Sequence, residues 1–81
     1  LSAGTDCRIV GNTCDSNGNG GDGAGIFVSS ADNRIDGNSC TDNDRGIDVN
    51  ALGNFIIRNT CSGNTTNWDI VAGNALATIF N

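Results

Sequence analysis

Short alternating stretches of apolar and polar residues recur along the chain, separated by asparagine and glycine. In Gly46-Ile47-Asp48-Val49 the two apolar side chains lie two residues apart, which places them on one face of an extended strand. No stretch spaces its apolar residues as one face of a helix would. Because asparagine and glycine favour turns, the pattern predicts short β-strands joined by tight bends.

The alternation belongs to a repeat with a spacing of 21 residues between its second and third copies and 26 between its first and second. The five extra residues fall between Asn17 and Ala24, where we expect a loop. Three segments align without a gap and share columns of isoleucine, asparagine and cysteine: Arg8-Ile9-Val10-Gly11-Asn12-Thr13-Cys14, Arg34-Ile35-Asp36-Gly37-Asn38-Ser39-Cys40 and Phe55-Ile56-Ile57-Arg58-Asn59-Thr60-Cys61.

Each copy continues in the same way after its cysteine. An asparagine follows three residues later, and an apolar pair closes the copy. The asparagines are Asn17, Asn43 and Asn64, and the pairs are Ile26 with Val28, Ile47 with Val49, and Trp68 with Ile70. Trp68 shares the column of Ile26 and Ile47, which indicates a core residue rather than an exposed sugar platform.

One such copy cannot bury its apolar face alone, whereas stacked copies form a continuous core. The sequence therefore predicts a single all-β domain over residues 1–81, with coils at about 7–28, 33–49 and 54–70 and a partial coil at 75–81. Leucine-rich repeats have a similar length, but leucine occurs here only at positions 1, 52 and 76. That alternative does not fit.

The first asparagine column, Asn12, Asn38 and Asn59, is expected to form a ladder. In an in-register stack each side-chain amide can donate to the oxygen of the next one along the stack. We expect this ladder to be structural rather than a ligand site.

The cysteine column, Cys14, Cys40 and Cys61, leaves two interpretations open. The three can be small buried residues with free thiols, or stacked neighbours about 4.8 Å apart can form disulfides. Cys7 points the same way as Ile9 and could pair with the odd member, so Cys7–Cys14 with Cys40–Cys61 is the favoured pairing of three. Without histidine, and with cysteines stacked this closely, we expect no metal and no cofactor.

Composition restricts the partners. The net charge of −5 disfavours nucleic acid and anionic membranes, since both would repel the chain. The small size, the four cysteines and the glycosylation acceptor Asn64-Thr65-Thr66 favour an extracellular or cell-surface location.

The segments Asn33-Arg34-Ile35-Asp36-Gly37-Asn38 and Asn43-Asp44-Arg45-Gly46-Ile47-Asp48-Val49 resemble the repeats of the pectate-lyase-like superfamily, particularly its secreted bacterial proteins. The resemblance covers about Cys7 to Asn74. It implies a right-handed parallel β-helix, here a solenoid of about three and a half coils. It does not imply one function, because that superfamily includes lyases, hydrolases, tailspikes and adhesins.

Enzymes of that superfamily use calcium-bridged carboxylates with a basic residue, or paired aspartic acids. Asp48 and Asp69 share a column, so we expect them to lie side by side facing outward, as a glycan contact or simply as solubilising charges. Asp42-Asn43-Asp44 resembles the start of a calcium loop but lacks its glycine and terminal glutamate. The column of Thr13, Ser39 and Thr60 lacks the second threonine column of an ice-binding surface. We assign no catalytic residue and favour a protein that is not an enzyme.

The expected function is a structural, self-assembling extracellular module of the filament or surface-layer type, whose partner is a second copy of the chain. Leu76, Ile79 and Phe80 are the candidate assembly surface, since the run they belong to continues the stack without closing it. The alternative is a glycan-binding or carbohydrate-processing module, with polysaccharide as the partner.

Overall fold

The computed structural model describes residues 1–18 and 23–77, and it shows an all-β parallel solenoid of about three turns. The predicted fold class is therefore confirmed. Within the described residues there is no helix, and hence none that could cross a membrane. The strands are β1 (Ser2–Ala3), β2 (Arg8–Val10), β3 (Thr13–Asp15), β4 (Ala24–Val28), β5 (Arg34–Asp36), β6 (Ser39–Thr41), β7 (Arg45–Val49), β8 (Phe55–Ile57), β9 (Thr60–Ser62), β10 (Thr66–Ile70) and β11 (Ala75–Ala77).

Three parallel sheets run along the solenoid. Sheet 1 has the order β1-β4-β7-β10, sheet 2 the order β2-β5-β8-β11, and sheet 3 the order β3-β6-β9. Coil 1 consists of β2 to β4, coil 2 of β5 to β7 and coil 3 of β8 to β10. Strand β1 precedes coil 1, and β11 follows coil 3 as the start of the predicted partial coil.

The register keeps every predicted apolar column in place. In sheet 2, Ile9, Ile35, Ile56 and Leu76 are successive partners. In sheet 1, Ile47 lies between Ile26 and Trp68. Side chains in the middle of these columns, such as Ile35 and Ile47, are fully buried, and each such burial stabilises the fold by about 1.5–3 kcal/mol.

Tight bends between sheets 2 and 3 need a left-handed residue. Gly11 and Gly37 both have a φ of 69° at this bend, a conformation that glycine adopts without steric cost. Arg58 occupies the equivalent position in coil 3 with a φ of 54°. Its side chain makes contacts that glycine could not make, described below.

The N-terminal end has one strand ahead of coil 1. Strand β1 adds to β4, with Ala3 buried beside Val28. The amino group of Leu1 donates to the carbonyl of Gly25 at 2.9 Å, and the amide of Phe27 donates to the carbonyl of Leu1 at 2.7 Å. Sheet 1 therefore extends one strand beyond coil 1. The predicted assembly residues Ile79 and Phe80 lie outside the described residues.

Candidate functional site: the asparagine ladders and the solenoid ends

The predicted asparagine ladder is confirmed. The Nδ2 of Asn12 donates to the Oδ1 of Asn38 at 3.1 Å, and the Nδ2 of Asn38 donates to the Oδ1 of Asn59 at 2.9 Å. The backbone amides of Asn12 and Asn38 donate to the same two oxygens, each at 2.9 Å. Asn38 and Asn59 also donate to the carbonyls of Ile9 and Ile35, so their amides bridge neighbouring coils.

The second asparagine column, Asn17, Asn43 and Asn64, forms a ladder of the same kind. The Nδ2 of Asn17 donates to the Oδ1 of Asn43 at 2.8 Å, and that of Asn43 donates to Asn64 at 3.0 Å. The ladder lies at the bends between sheets 3 and 1. These asparagines hold coils together at a second corner of the solenoid.

A third ladder was not recognised in the sequence. The Oδ1 of Asn54 accepts from the amide and Nδ2 of Asn33, each at 3.0 Å, and the amide of Asn54 donates to the Oδ1 of Asn74 at 2.9 Å. Cys7 holds the first position, where its amide donates to Asn33 at 2.8 Å. The available signal was the asparagine directly before β5 and again directly before β8.

The three ladders run in one direction. In each, the asparagine of one coil donates to the oxygen of the next coil toward the C-terminus. At the N-terminal end, the Oδ1 atoms of Asn12 and Asn17 therefore accept no hydrogen bond within the described part of the chain. The two ends of the solenoid consequently differ in their hydrogen-bonding character.

Asn67 closes the second ladder, a role that the sequence did not predict. Its Oδ1 accepts from the amide of Asn64 at 3.2 Å and from the Nδ2 of Asn64 at 3.0 Å, in place of an asparagine from a further coil. The equivalent positions of coils 1 and 2 are Gly25 and Gly46. A Cβ at Gly46 would lie 2.5 Å from the carbonyl of Asn67 and 2.9 Å from the Nδ2 of Asn64, so a side chain fits this column only in coil 3.

The four cysteines are free thiols, and the pairing of Cys7 with Cys14 and Cys40 with Cys61 is not formed. Cys14, Cys40 and Cys61 are in register, as predicted. In-register parallel strands point these side chains the same way into the core, whereas the two halves of a disulfide must turn toward each other.

The thiols of the column contact one another. A hydrogen bond with Cys61, and then burial, raise the pKa of the Cys40 thiol, while burial and then Cys40 raise the pKa of Cys14. Both therefore remain protonated and poorly nucleophilic. The Sγ of the partly exposed Cys7 instead faces the carbonyl of Thr5 at 3.6 Å.

The aspartate column of sheet 1 is not an open pair of carboxylates. Asp48 and Asp69 are neighbours, as predicted, but Asp48 is only 2% exposed, so the expectation that both face solvent is wrong for Asp48. Arg45 lies against both: its Nη1 is 3.3 Å from the Oδ2 of Asp48, and its Nε is 3.3 Å from the Oδ2 of Asp69. Substrate could reach only Asp69 directly.

An ion cluster around Asp36 joins coils 2 and 3. The Nε of Arg58 donates to the Oδ1 of Asp36 at 2.9 Å, and its Nη2 donates to the Oδ2. The Nη2 of Arg34 is 3.5 Å from the Oδ2 of Asp36. The guanidinium carbon of Arg34 lies over the ring of Phe55, 4.9 Å from the ring centroid. The hydrogen bonds from Arg58 hold the pKa of Asp36 below its ordinary value, and Asp36 raises the pKa of Arg58.

Two further sequence motifs have structural roles. Asn64 of the glycosylation triplet donates its Nδ2 hydrogens to Asn67 and to the carbonyl of Cys40, so the folded chain does not offer that nitrogen for attachment of a sugar. In Asp42-Asn43-Asp44, Asn43 belongs to the second ladder, and Asp44 accepts from the amide of Gly23 at 3.1 Å. No cluster suited to a metal ion, and no pocket, occurs among residues 1–18 and 23–77.

The C-terminal end of the described chain presents β9, β10 and β11 as its outermost strands. Natural sheet edges are commonly protected by charged residues. Here Asp69 is the one charged residue among these three strands, and it is paired with Arg45. Leu76 is 47% exposed, although Ile35 and Ile56 of its column are buried. Trp68 is partly buried, and its indole Nε1 has no hydrogen-bond partner within the described chain.

Comparison of the chain with protein families, with curated proteins and with solved structures finds no match. The resemblance to the pectate-lyase-like superfamily therefore rests on the repeat motif of the sequence alone.

Proposed function

We propose that this chain is a structural β-solenoid module that assembles with copies of itself, of the filament or surface-layer type. The observation that carries the proposal is the use of its polar side chains. Within each of the three ladders, asparagines of neighbouring coils bond to one another. Arg58 bonds to Asp36 between coils, and Arg45 pairs with Asp48 within one coil. These groups hold the stack together and are occupied by that task.

The C-terminal edge supports self-assembly. Its strands are nearly free of charge, and its last apolar column ends in a half-exposed leucine, Leu76. Within residues 1–18 and 23–77, no further strand pairs with the outer edges of β9, β10 and β11. Open strand edges add further strands readily. A second copy is a source of parallel strands of the same kind.

The extracellular location and the membership in the right-handed, secreted bacterial β-helix proteins are parts of the same proposal. They rest on the asparagine- and glycine-rich repeat and on its resemblance. The cysteines add no support, because all four are free thiols.

A glycan-binding or carbohydrate-processing module is the second candidate. It is favoured by Asp69, whose side chain is 43% exposed beside the partly exposed Arg45 on the longest strands of the solenoid. Such a pair can bind sugar hydroxyls. A glycan array with clear hits that disappear in Asp69→Asn would favour this function over the structural one.

The molar mass in solution tests the structural proposal. Multi-angle light scattering over a hundredfold range of concentration should give a mass that rises above the 8.3 kDa of one chain as concentration increases. A mass of one chain at every concentration would overturn the proposal.

A further inference from the structure

The two ends of the solenoid are built from the same succession of strands. At the N-terminal end, β1 of sheet 1 is followed along the chain by β2 of sheet 2, and both are outermost in their sheets. At the C-terminal end, β10 of sheet 1 is followed by β11 of sheet 2, and both are again outermost. A second copy that places its β1 on β10 therefore brings its β2 onto β11. Sheets 1 and 2 then continue without a gap.

The apolar columns continue across such a junction. Ala3 pairs with Val28 in the chain itself, so the Ala3 of a second copy would follow Ile70, the last member of the same column. The Ile9 of the second copy would follow Leu76 and cover its exposed side chain. The contact repeats the packing that already joins consecutive coils within one chain.

The direction of the ladders also matches. In the second ladder, the Oδ1 of Asn17 at the N-terminal end has no donor, and the Nδ2 of Asn67 at the C-terminal end has no acceptor within the described residues. Both belong to the same corner of the solenoid. If two C-terminal ends met instead, the Nδ2 donor of one Asn67 would face the same donor of the other, and the Oδ1 acceptor of Asn17 would not take part.

We propose that the C-terminal end of one chain binds the N-terminal end of a second copy, head to tail, with β1 added to β10 and β2 added to β11. The Nδ2 of Asn67 then donates to the Oδ1 of Asn17 of the second copy. This inference rests on the proposed structural function and specifies its partner surface. Because the two surfaces differ, each added copy presents a new free end, and the assembly grows as a filament unless rotation closes it.

Two variants that block one end each test this geometry. Leu76→Asp places a charge at the C-terminal end, and Leu1→Asp places one at the N-terminal end. Both leucines are half exposed, so we expect the fold to tolerate the change. Leu52→Asp is the matched control, because Leu52 is 65% exposed on a turn away from both ends. Circular dichroism checks that each variant is folded.

Light scattering of the variants gives distinct results for each geometry. Leu76→Asp alone and Leu1→Asp alone should both have the mass of one chain, while their equimolar mixture should form dimers of twice that mass that do not grow. Wild type and Leu52→Asp should grow beyond dimers.

If wild type and Leu1→Asp both assemble while Leu76→Asp keeps the mass of one chain, the head-to-tail contact is overturned and two C-terminal ends meet instead. Assembly of both single-end variants to wild-type size would overturn it in favour of a lateral contact. A wild type that remains a single chain at every concentration would reject the structural function itself, and the head-to-tail contact with it.

Discussion

The Oδ1 of Asn59 accepts two hydrogen bonds from Asn38, one from its Nδ2 and one from its backbone amide, each at 2.9 Å. Both residues are almost completely buried. One side chain thus satisfies two donors of the neighbouring coil, and the bend in each coil is fixed to the bend beneath it.

Removal of the central rung should destabilise the stack. In Asn38→Ala the amide and Nδ2 of Asn12 lose the Oδ1 of Asn38 as an acceptor, and the carbonyl of Ile9 loses the Nδ2 of Asn38 as a donor. We expect the free energy of unfolding to fall by about 1–3 kcal/mol, because buried polar groups lose their partners. Urea unfolding measures this. Asn50→Ala is the control, since Asn50 is exposed and lies outside the ladders; equal urea midpoints for the two variants would contradict the ladder's contribution.

The glycine column should tolerate no side chain between coils. Gly46→Ala would force a Cβ to 2.5 Å from the carbonyl of Asn67, and we expect a loss of about 1–3 kcal/mol in the free energy of unfolding. Gly4→Ala is the matched control, because a Cβ at Gly4 meets no atom within 4 Å. Thermal or urea unfolding of both variants decides; a Gly46→Ala variant as stable as Gly4→Ala would show that the coils can separate at this column.

Acid should weaken the contact between coils 2 and 3. Arg58 holds the pKa of Asp36 below its ordinary value of 3.8, so the folded state binds this proton less tightly than the unfolded state. The stabilisation is fully present above the ordinary pKa and is lost as pH falls through the lowered one. The free energy of unfolding should therefore fall more steeply below about pH 4 in wild type than in Asp36→Asn.

Asp6→Asn removes one carboxylate at an exposed turn and serves as the charge-matched control for this pH dependence. The fall of its free energy of unfolding with decreasing pH should be closer to that of wild type than the fall in Asp36→Asn is. An Asp36→Asn variant with the full wild-type acid slope would exclude Asp36 as its source.

The cysteines should react in an order set by burial. Cys7 is partly exposed, whereas Cys40 and Cys61 are fully buried. Iodoacetamide should label Cys7 first, and the buried pair about a hundredfold or more slowly, since labelling them requires the fold to open. Intact mass after alkylation in denaturant without reductant should show four labels; fewer would mean that disulfides form after all.

The sequence was sufficient to predict the solenoid, its apolar columns and the first ladder, because a strict repeat fixes which residues stack. It did not reveal the closure of the second ladder, since Asn67 occupies a position that its equivalents Gly25 and Gly46 leave without a side chain. Nor did it predict the burial of Asp48. Alternation shows that the side chain of Asp48 points outward, but it does not show that Arg45 from the same strand lies against Asp48.

Short elements were the other difficulty. Strand β1 has only two residues, too few to show alternation, and is defined by its pairing with β4. The third ladder was missed because the step from Asn33 to Asn54 is 21 residues but that from Asn54 to Asn74 is 20. Pairing between coils, rather than local sequence, determines both features.

Exchange of side-chain amide protons, measured by NMR, tests most directly whether the asparagines are structural. The Nδ2 hydrogens of Asn38 are bonded to Asn59 and to the carbonyl of Ile9, while Asn50 is exposed to solvent. We predict that the side-chain amide of Asn38 exchanges with deuterium far more slowly than that of Asn50. Equal exchange rates for the two side chains would contradict the account of a solenoid held together by its asparagine ladders.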